Sequence, residues 1–261
     1  MDTIEPLNID DVRRALSGGT VGSAVHYHDS LPSTMDEARR LALEGAPDGT
    51  VVIAEEQTKG RGRFSRVWVS RPGLNLALSV LLRPEIPQLP YVNMAAALAV
   101  CDVVSELTDL SATIKWPNDV RIGGRKLSGI LVETDMVGRR LNHAVVGIGM
   151  NVNLDPSQHP EIAEIATSIL AESGHEANRS EALRLLLSRL DRYYVEIRGG
   201  ASLRERWAAK LETLGMTIQV RWGDDVIEGI GESVDEQGNL MVRKADGASV
   251  TVVAGEVTLQ V

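Results

Sequence analysis

The chain is 261 residues long, with 43% hydrophobic and 24% charged side chains, an ordinary globular composition that excludes disorder and collagen-like repeats and suffices for a large core. Thirty-six acids against 27 bases leave a net charge of −9, which argues against nucleic-acid binding as the main business. The one cysteine, Cys101, cannot close an internal disulfide, and the acidic start Met1-Asp2-Thr3-Ile4-Glu5 is not a signal peptide, so a cytoplasmic setting with no membrane is expected.

Apolar spacing predicts a short helix over 9–16, stopped by Gly18-Gly19, and then a strand over 21–27. Ser33 or Thr34 caps the next helix, which runs to about Glu44 with Met35, Ala38, Leu41 and Ala42 on its apolar face. Residues 50–55 and 74–82 read as strands, the second closed by Pro84 and Pro87. The stretch 92–107 is apolar on most sides, which predicts a buried helix; its apolar run is far shorter than the roughly 20 residues of a membrane span. Strands follow at 113–116, 119–122, 127–134 and 141–149, with Gly123-Gly124 as a hairpin turn, then helices at 180–197 and 202–211. Such a mixed order predicts an α+β sheet instead of strict βαβ winding. Beyond Leu214 five short alternating strands are predicted, at 216–222, 226–233, 240–244, 249–253 and 257–261, separated by Gly223-Asp224, Gln237-Gly238 and Asp246-Gly247. That texture predicts a small β-barrel.

Only five of the 27 bases are lysines, and three of those, Lys59, Lys115 and Lys126, fall in two short motifs. Residues 57–72 carry Lys59, Arg61, Arg63, Arg66 and Arg71 and no acid, which in an acidic chain reads as a place for an anion. The run Gln57-Thr58-Lys59-Gly60-Arg61-Gly62-Arg63-Phe64-Ser65-Arg66-Val67-Trp68 joins glycines that let the backbone approach a ligand to guanidinium forks for carboxylate or phosphate. On an extended loop Arg61 and Arg63 would face the same way. A solvated basic loop is the alternative reading. No GxxxxGK[ST] occurs, and Ser65 stands where a dinucleotide fingerprint needs its third glycine. In Lys115-Trp116-Pro117-Asn118-Asp119 and Lys126-Leu127-Ser128-Gly129-Ile130-Leu131-Val132-Glu133 an ammonium enters a turn or an apolar strand, which is costly unless an anion meets it. The alternative there is a structural ion pair with Glu133 or Asp119. Gly147-Ile148-Gly149-Met150-Asn151-Val152-Asn153 ends in amides fit for a base edge, a metal-bound water or a turn. Ser33-Thr34 is either a ligand contact or a capping box with Asp36 or Glu37. His26 and His28 share a strand face without a third ligand at metal spacing, Cys101 reads as core, and no GxSxG elbow is present.

Taken in this order, the ST pair, Q-x-x-GRGR…W, KWPND, K-L-x-G-I-L-x-E and G-x-G-x-N, with the barrel-like tail, resemble the biotin–protein ligases (biotin–[acetyl-CoA carboxylase] ligases) over residues 20–261. The resemblance implies an enzyme that joins biotin to ATP as biotinyl-5′-AMP and passes biotin to one lysine of a biotin carboxyl carrier protein or domain of a carboxylase. It implies a helical extension at 1–19, a catalytic domain at 20–212 of α+β class related to class II aminoacyl-tRNA synthetases, and an SH3-like barrel at 213–261. By the same resemblance Lys126 and Arg63 are catalytic. Ser33, Thr34, Met35, Gln57, Gly60, Arg61, Gly62, Arg63, Lys126 and Gly129 would hold biotin. Arg61, Arg66, Trp68, Lys115, Asn118 and Asn151 would serve ATP, with Mg²⁺ held mainly by the phosphates and no protein metal site. Met35 stands where many members have Asn, and Phe64-Ser65 where many have a basic residue and Gly. The implied type is monofunctional, since the residues before the first strand are acidic where ligase-repressors carry a DNA-binding winged helix. No DNA partner is expected, and a homodimer is compatible with the sequence. A lipoate–protein ligase shares this fold and chemistry but lacks the GRGR…KWPND pairing.

Overall fold

The computed structural model describes residues 6–222 and 225–259. Asn8 caps the first helix, α1 (Ile9–Ala15), by accepting the Asp11 amide, and Ile9, Val12 and Leu16 are buried in the main core. The predicted strand at 21–27 is shifted to β1 (Val25–Leu31), because Gly22 and Ser23 are taken up in a turn that bonds to Gly49 and Thr20. After α2 (Thr34–Leu43), β2 (Thr50–Gln57) runs past its predicted end and keeps Gln57 in the ladder opposite Leu31. β3 (Asn75–Leu82) is buried along its whole length. The apolar stretch becomes α3 (Leu89–Leu107). Residues 86–107 are the one stretch among those described that is long and apolar enough to span a bilayer, and it is a core helix here, with every residue from Val92 to Val104 except Asn93 and Asp102 buried.

β4 (Thr113–Lys115), β5 (Asp119–Ile122), β6 (Arg125–Val137) and β7 (Arg140–Asn151) follow, the last two forming a longer hairpin than predicted. The seven strands make one sheet in the order β1-β2-β3-β7-β6-β5-β4, parallel only between β1 and β2. It is the mixed α+β sheet expected. A short helix that the sequence did not announce, α4 (Ile169–Ser173), precedes α5 (Arg179–Arg198). α6 (Arg204–Ala208) ends before its predicted limit, because residues 210–212 peel away to pair with the sheet edge. Ile114 donates to the Lys210 carbonyl and accepts from the Glu212 amide.

The tail forms β8 (Thr217–Trp222), β9 (Asp225–Val234), β10 (Leu240–Arg243), β11 (Ser249–Val252) and β12 (Glu256–Leu259). These five pair antiparallel as β11-β10-β9-β8-β12. The strand count is as predicted, while the pairing is an open series with β11 and β12 at its edges. The predicted Gly223-Asp224 turn and the last two residues of the final strand lie outside the described residues.

The tail is seated on the larger unit through a buried tryptophan. The Trp116 backbone N–H donates to the Thr213 hydroxyl at 3.0 Å and its indole N–H to the Gly238 carbonyl at 2.8 Å, and Gly238 lies against Met94 and Trp207. Removing residues 214–261 would wet parts of these three side chains. At about 1–2 kcal/mol for each, the truncated chain is expected to fold with a melting temperature lower by roughly 6–24 °C. Circular dichroism melts check this; an unchanged melting temperature would mean that the tail contributes nothing to the Trp116 turn.

Candidate active site

At one end of the seven-stranded sheet β2 and β7 stop and β3 and β6 begin, and a cavity of about 560 Å³ opens there. Every residue predicted for the site lines it except Gly60. Gly60 stands behind the wall, its carbonyl accepting the Trp68 amide at 3.0 Å.

One end of the cavity is closed and polar. Ser33 occupies the N-cap of α2 but makes no capping hydrogen bond, so the capping box is not formed. Asp36 pairs instead with Arg39 and Arg61, and Glu37 with Arg40. Thr34 donates its amide (2.9 Å) and its hydroxyl (3.1 Å) to Gln57 Oε1, and its hydroxyl also meets Ser79 Oγ at 2.8 Å. The Gln57 amide nitrogen and the Ser33 hydroxyl keep no protein partner among the described residues. Beside them Met35 presents a thioether, its Sδ 2.9 Å from where a Cβ on Gly147 would stand.

The middle of the cavity is cationic. Lys126 Nζ lies 2.6 Å from Asp119 Oδ1, the ion pair that the sequence offered as the structural alternative, yet both side chains line the cavity. Lys115 has no ion pair among the described residues, and burial, helped by Arg121, pulls its pKa down. Burial likewise lowers the pKa of the Arg63 guanidinium, which donates to Asn118 Oδ1 at 3.1 Å and meets no carboxylate at ion-pair distance among the described residues. Both loop arginines line the one cavity, with an extended Gly62 between them and a 3₁₀ turn at Arg63–Ser65 after it, Phe64 standing at φ 54°. They take different partners: Arg63 turns to Asn118, while Arg61 reaches Asp36 at 2.9 Å and Glu133 at 3.7 Å. Arg66 pairs with Glu256 at the start of β12, which brings the tail to the rim.

The floor is made of glycine. Gly129 and Gly149 face each other across β6 and β7, and a Cβ on Gly149 would collide with the Trp68 indole. The ring lies on this bare backbone with Lys126 Nζ 5.8 Å from its centroid. Its indole N–H is buried with no acceptor. Asn151 is partly committed to structure, its amide donating to the Thr167 carbonyl at 2.9 Å.

The sequence missed one wall entirely. Residues 152–168 carry Ile162, Ile165 and Ala166 into the cavity and grip the Lys126 backbone, which donates to Ile165 O and accepts from Thr167 N, both at 2.8 Å. This stretch has neither helical nor strand periodicity, so no signal marked it. Elsewhere, Cys101 is core, its thiol pushed up to about 12 by burial. Among the described residues no group of His, Cys, Asp and Glu could hold a metal ion.

Comparison with known proteins follows the same outline. Residues 27–151 match the biotin/lipoate A/B protein ligase family and residues 213–259 the biotin protein ligase C-terminal domain. The chain is 34% identical to the biotin–[acetyl-CoA-carboxylase] ligase of Mycobacterium tuberculosis, over 97% of this chain and 95% of that one. It is also 34% identical to the bifunctional ligase/repressor BirA of Bacillus subtilis, over 92% of this chain and 76% of the relative. Among solved structures it is similar to the biotin protein ligase from Aquifex aeolicus in complex with biotin and ATP, with a TM-score of 0.77 and 28% identity over 91% of this chain and 99% of that one.

Proposed function

Because the chain belongs to the biotin/lipoate A/B protein ligase family, we propose that this cavity is where biotin is adenylated and from which it is handed to a carrier lysine. The protein is a ligase that uses ATP to make biotinyl-5′-AMP and biotinylates a biotin-dependent carboxylase. In the first step a biotin carboxylate oxygen attacks the α-phosphorus and pyrophosphate leaves. In the second a carrier ε-amine attacks the acyl carbon, AMP leaves and the amine proton goes to solvent.

One observation carries the reading: Arg63, Lys115 and Lys126 line one cavity, and among the described residues Asp119 is the one carboxylate at ion-pair distance from any of them. Two anions must meet in adenylation, and preorganised cations lower that barrier chiefly by electrostatics. The closed polar end, with Ser33, Thr34 and Gln57, fits the ureido ring, and Met35 with Gly147 makes an apolar wall beside it. Lys126 then lies at the carboxylate–phosphate junction, Lys115 and Arg63 serve the phosphates, and Asn118 positions Arg63. Trp68 with Ile162 and Ile165 offers flat apolar surface to the base. When bound, Mg²⁺ would neutralise charge on the β and γ phosphates, whose oxygens supply its ligands. No protein nucleophile is needed for either step.

The finer assignments rest on the sequence resemblance: a class II synthetase-like catalytic fold, an SH3-like tail, a cytoplasmic location, and a carrier protein instead of DNA as partner. Incubation with biotin and Mg-ATP tests the core of the reading. Biotin-dependent pyrophosphate release and a retained biotinyl-AMP in the mass spectrum are expected. Release with lipoate and none with biotin would overturn it.

Lys115, which has no ion pair among the described residues, gives a further check without turnover. Its folded pKa is depressed, so at neutral pH the folded state holds that charge at a cost, which a bound polyphosphate removes. Saturating pyrophosphate is expected to raise the melting temperature by roughly 5–10 °C, and by clearly less in Lys115→Met. Equal shifts in the two proteins would place the phosphates elsewhere.

A further inference from the structure

Both segments that flank the cavity spring from one buried knot, and no residue of the knot's charge pair touches the cavity. Residues 58–74 return to the sheet at Gly73, Leu74 and Asn75, and residues 152–168 leave it at Val152 and Asn153. The two feet are bonded to each other. Asn153 N donates to Leu74 O at 2.7 Å and Val152 N to Asn75 Oδ1 at 3.3 Å. Both are also bonded to the start of α5: Asn153 exchanges hydrogen bonds with Ala177, and Arg179 Nη1 donates to Asn75 O.

At the centre lies an ion pair between Glu55 on β2 and Arg179, Nη1 to Oε2 at 2.7 Å, with the two side chains 9% and 5% exposed. The Glu55 carboxylate is saturated. Oε2 also accepts the Gly73 amide at 3.2 Å, and Oε1 accepts the Tyr27 hydroxyl at 3.0 Å and the Leu7 amide at 3.3 Å. Burial pulls this carboxyl up, but Arg179 and the two amides outweigh it and hold the pKa below the usual carboxylate value. The neighbouring Tyr27 is pushed up to about 12 by burial and by Glu55.

Buried charge pairs are poor stabilisers compared with apolar packing of the same shape, so stability alone gives little reason to place one here. What the pair does geometrically is fix Gly73 and Asn75 relative to α5, and through Asn75 and Leu74 the foot of the second segment. We propose that Glu55 and Arg179 are positioning residues that hold the two flanking segments in one register, so that an activated intermediate stays enclosed until an acceptor arrives. This rests on the ligase reading above and goes beyond it, because it assigns retention, not chemistry, to a pair outside the cavity. A loose register would let the product out and water in, and any slowing of adenylation through the grip of residues 152–168 on the Lys126 backbone cancels when loss is read per turnover.

The test compares Glu55→Gln with the wild type and with Val100→Ala, a core truncation in α3 remote from the knot. Two quantities are read: biotin attached to albumin per pyrophosphate released, and the rate of tryptic cleavage at Lys59, Arg61, Arg63 and Arg66 in the unliganded protein. For Glu55→Gln the labelling ratio is expected to rise about tenfold, as small misplacements of closing elements commonly cost that much or more, and loop cleavage to accelerate in parallel. Val100→Ala should change neither, although it too lowers stability. If Glu55→Gln does not fold, Arg179→Lys or Tyr27→Phe takes its place, with a smaller rise of the same two readings. Labelling and cleavage in the variants no greater than in Val100→Ala would overturn the proposal. A wild type that releases no biotin-dependent pyrophosphate would instead overturn the ligase reading, and the cleavage rates would still judge the knot.

Discussion

Replacing Lys126 by alanine is expected to lower the rate of biotinyl-AMP formation by about 10²–10³, the usual effect of deleting one preorganised charge stabiliser. The side chain is aimed by three independent constraints. The backbone of residues 152–168 holds Lys126 on both its N–H and its carbonyl. Asp119 holds Nζ, and the bare Gly129 leaves the end of the chain only 3.1 Å from where a Cβ would stand. With the ammonium gone, Asp119 faces the incoming carboxylate and phosphate without a counter-charge, so the loss should appear in the chemical step and not in folding. Single-turnover pyrophosphate release in a variant with a normal circular dichroism spectrum is the measurement. Near-normal release would remove Lys126 from the junction.

Arg63→Gly is expected to behave differently, making the adenylate and then losing it. Arg63 reaches Asn118 from a 3₁₀ turn at the tip of the glycine-rich loop, and Asn118 in turn is tied to β6 through Ile130. That link fastens the loop to the opposite wall. Hydrogen bonds to charged groups contribute roughly 1.5–3 kcal/mol, so their loss should speed adenylate release by about 10–100-fold. Lys126 and Lys115 stay in place, so adenylation continues at a reduced rate, slowed less than release is accelerated. Incubated with biotin, Mg-ATP and albumin, the variant should label albumin where the wild type does not. Loss of both adenylate and labelling would put Arg63 in the chemistry.

The parts of the site that could be read from the sequence are those in which a residue type carries a cost that only a ligand or partner relieves. A lysine entering an apolar strand is one such signal, and at Lys126 the structure shows the ion pair of the one reading on a side chain that also lines the cavity. Ser33 was ambiguous for the opposite reason: helix physics explained it fully until the structure showed its capping bond unmade. That Arg61 and Arg63 line one cavity follows from the extended Gly62 between them, whereas their different partners, Asp36 and Asn118, are set by tertiary contacts that no local pattern encodes. Residues 152–168 were invisible because an irregular segment is placed by what it touches, here the Lys126 backbone, and no local pattern encodes that. The same holds for the strand-like addition of residues 210–212 to β4 and for Glu256 at the cavity rim. In each case the contact spans a sequence distance that periodicity cannot cross.

An enzyme that produces an amine-reactive acyl donor carries its own amines within reach of it, and the Asp119–Lys126 pair bears on which amine reacts. An ε-nitrogen attacks only through a free lone pair, and at Lys126 the nitrogen is engaged by a carboxylate at 2.6 Å while its chain is confined over Gly129. Self-acylation at Lys126 is thereby disfavoured by the contact that aims the charge, a protection that Lys115, in the same cavity with no ion pair among the described residues, does not share. The scarcity of the residue type acts in the same sense, with five lysines in 261 positions and 22 of the 27 basic side chains being arginine, whose guanidinium is a poor acyl acceptor. Acceptor choice is thus set partly by what the enzyme withholds: the carrier's lysine arrives as an amine with no carboxylate already holding it.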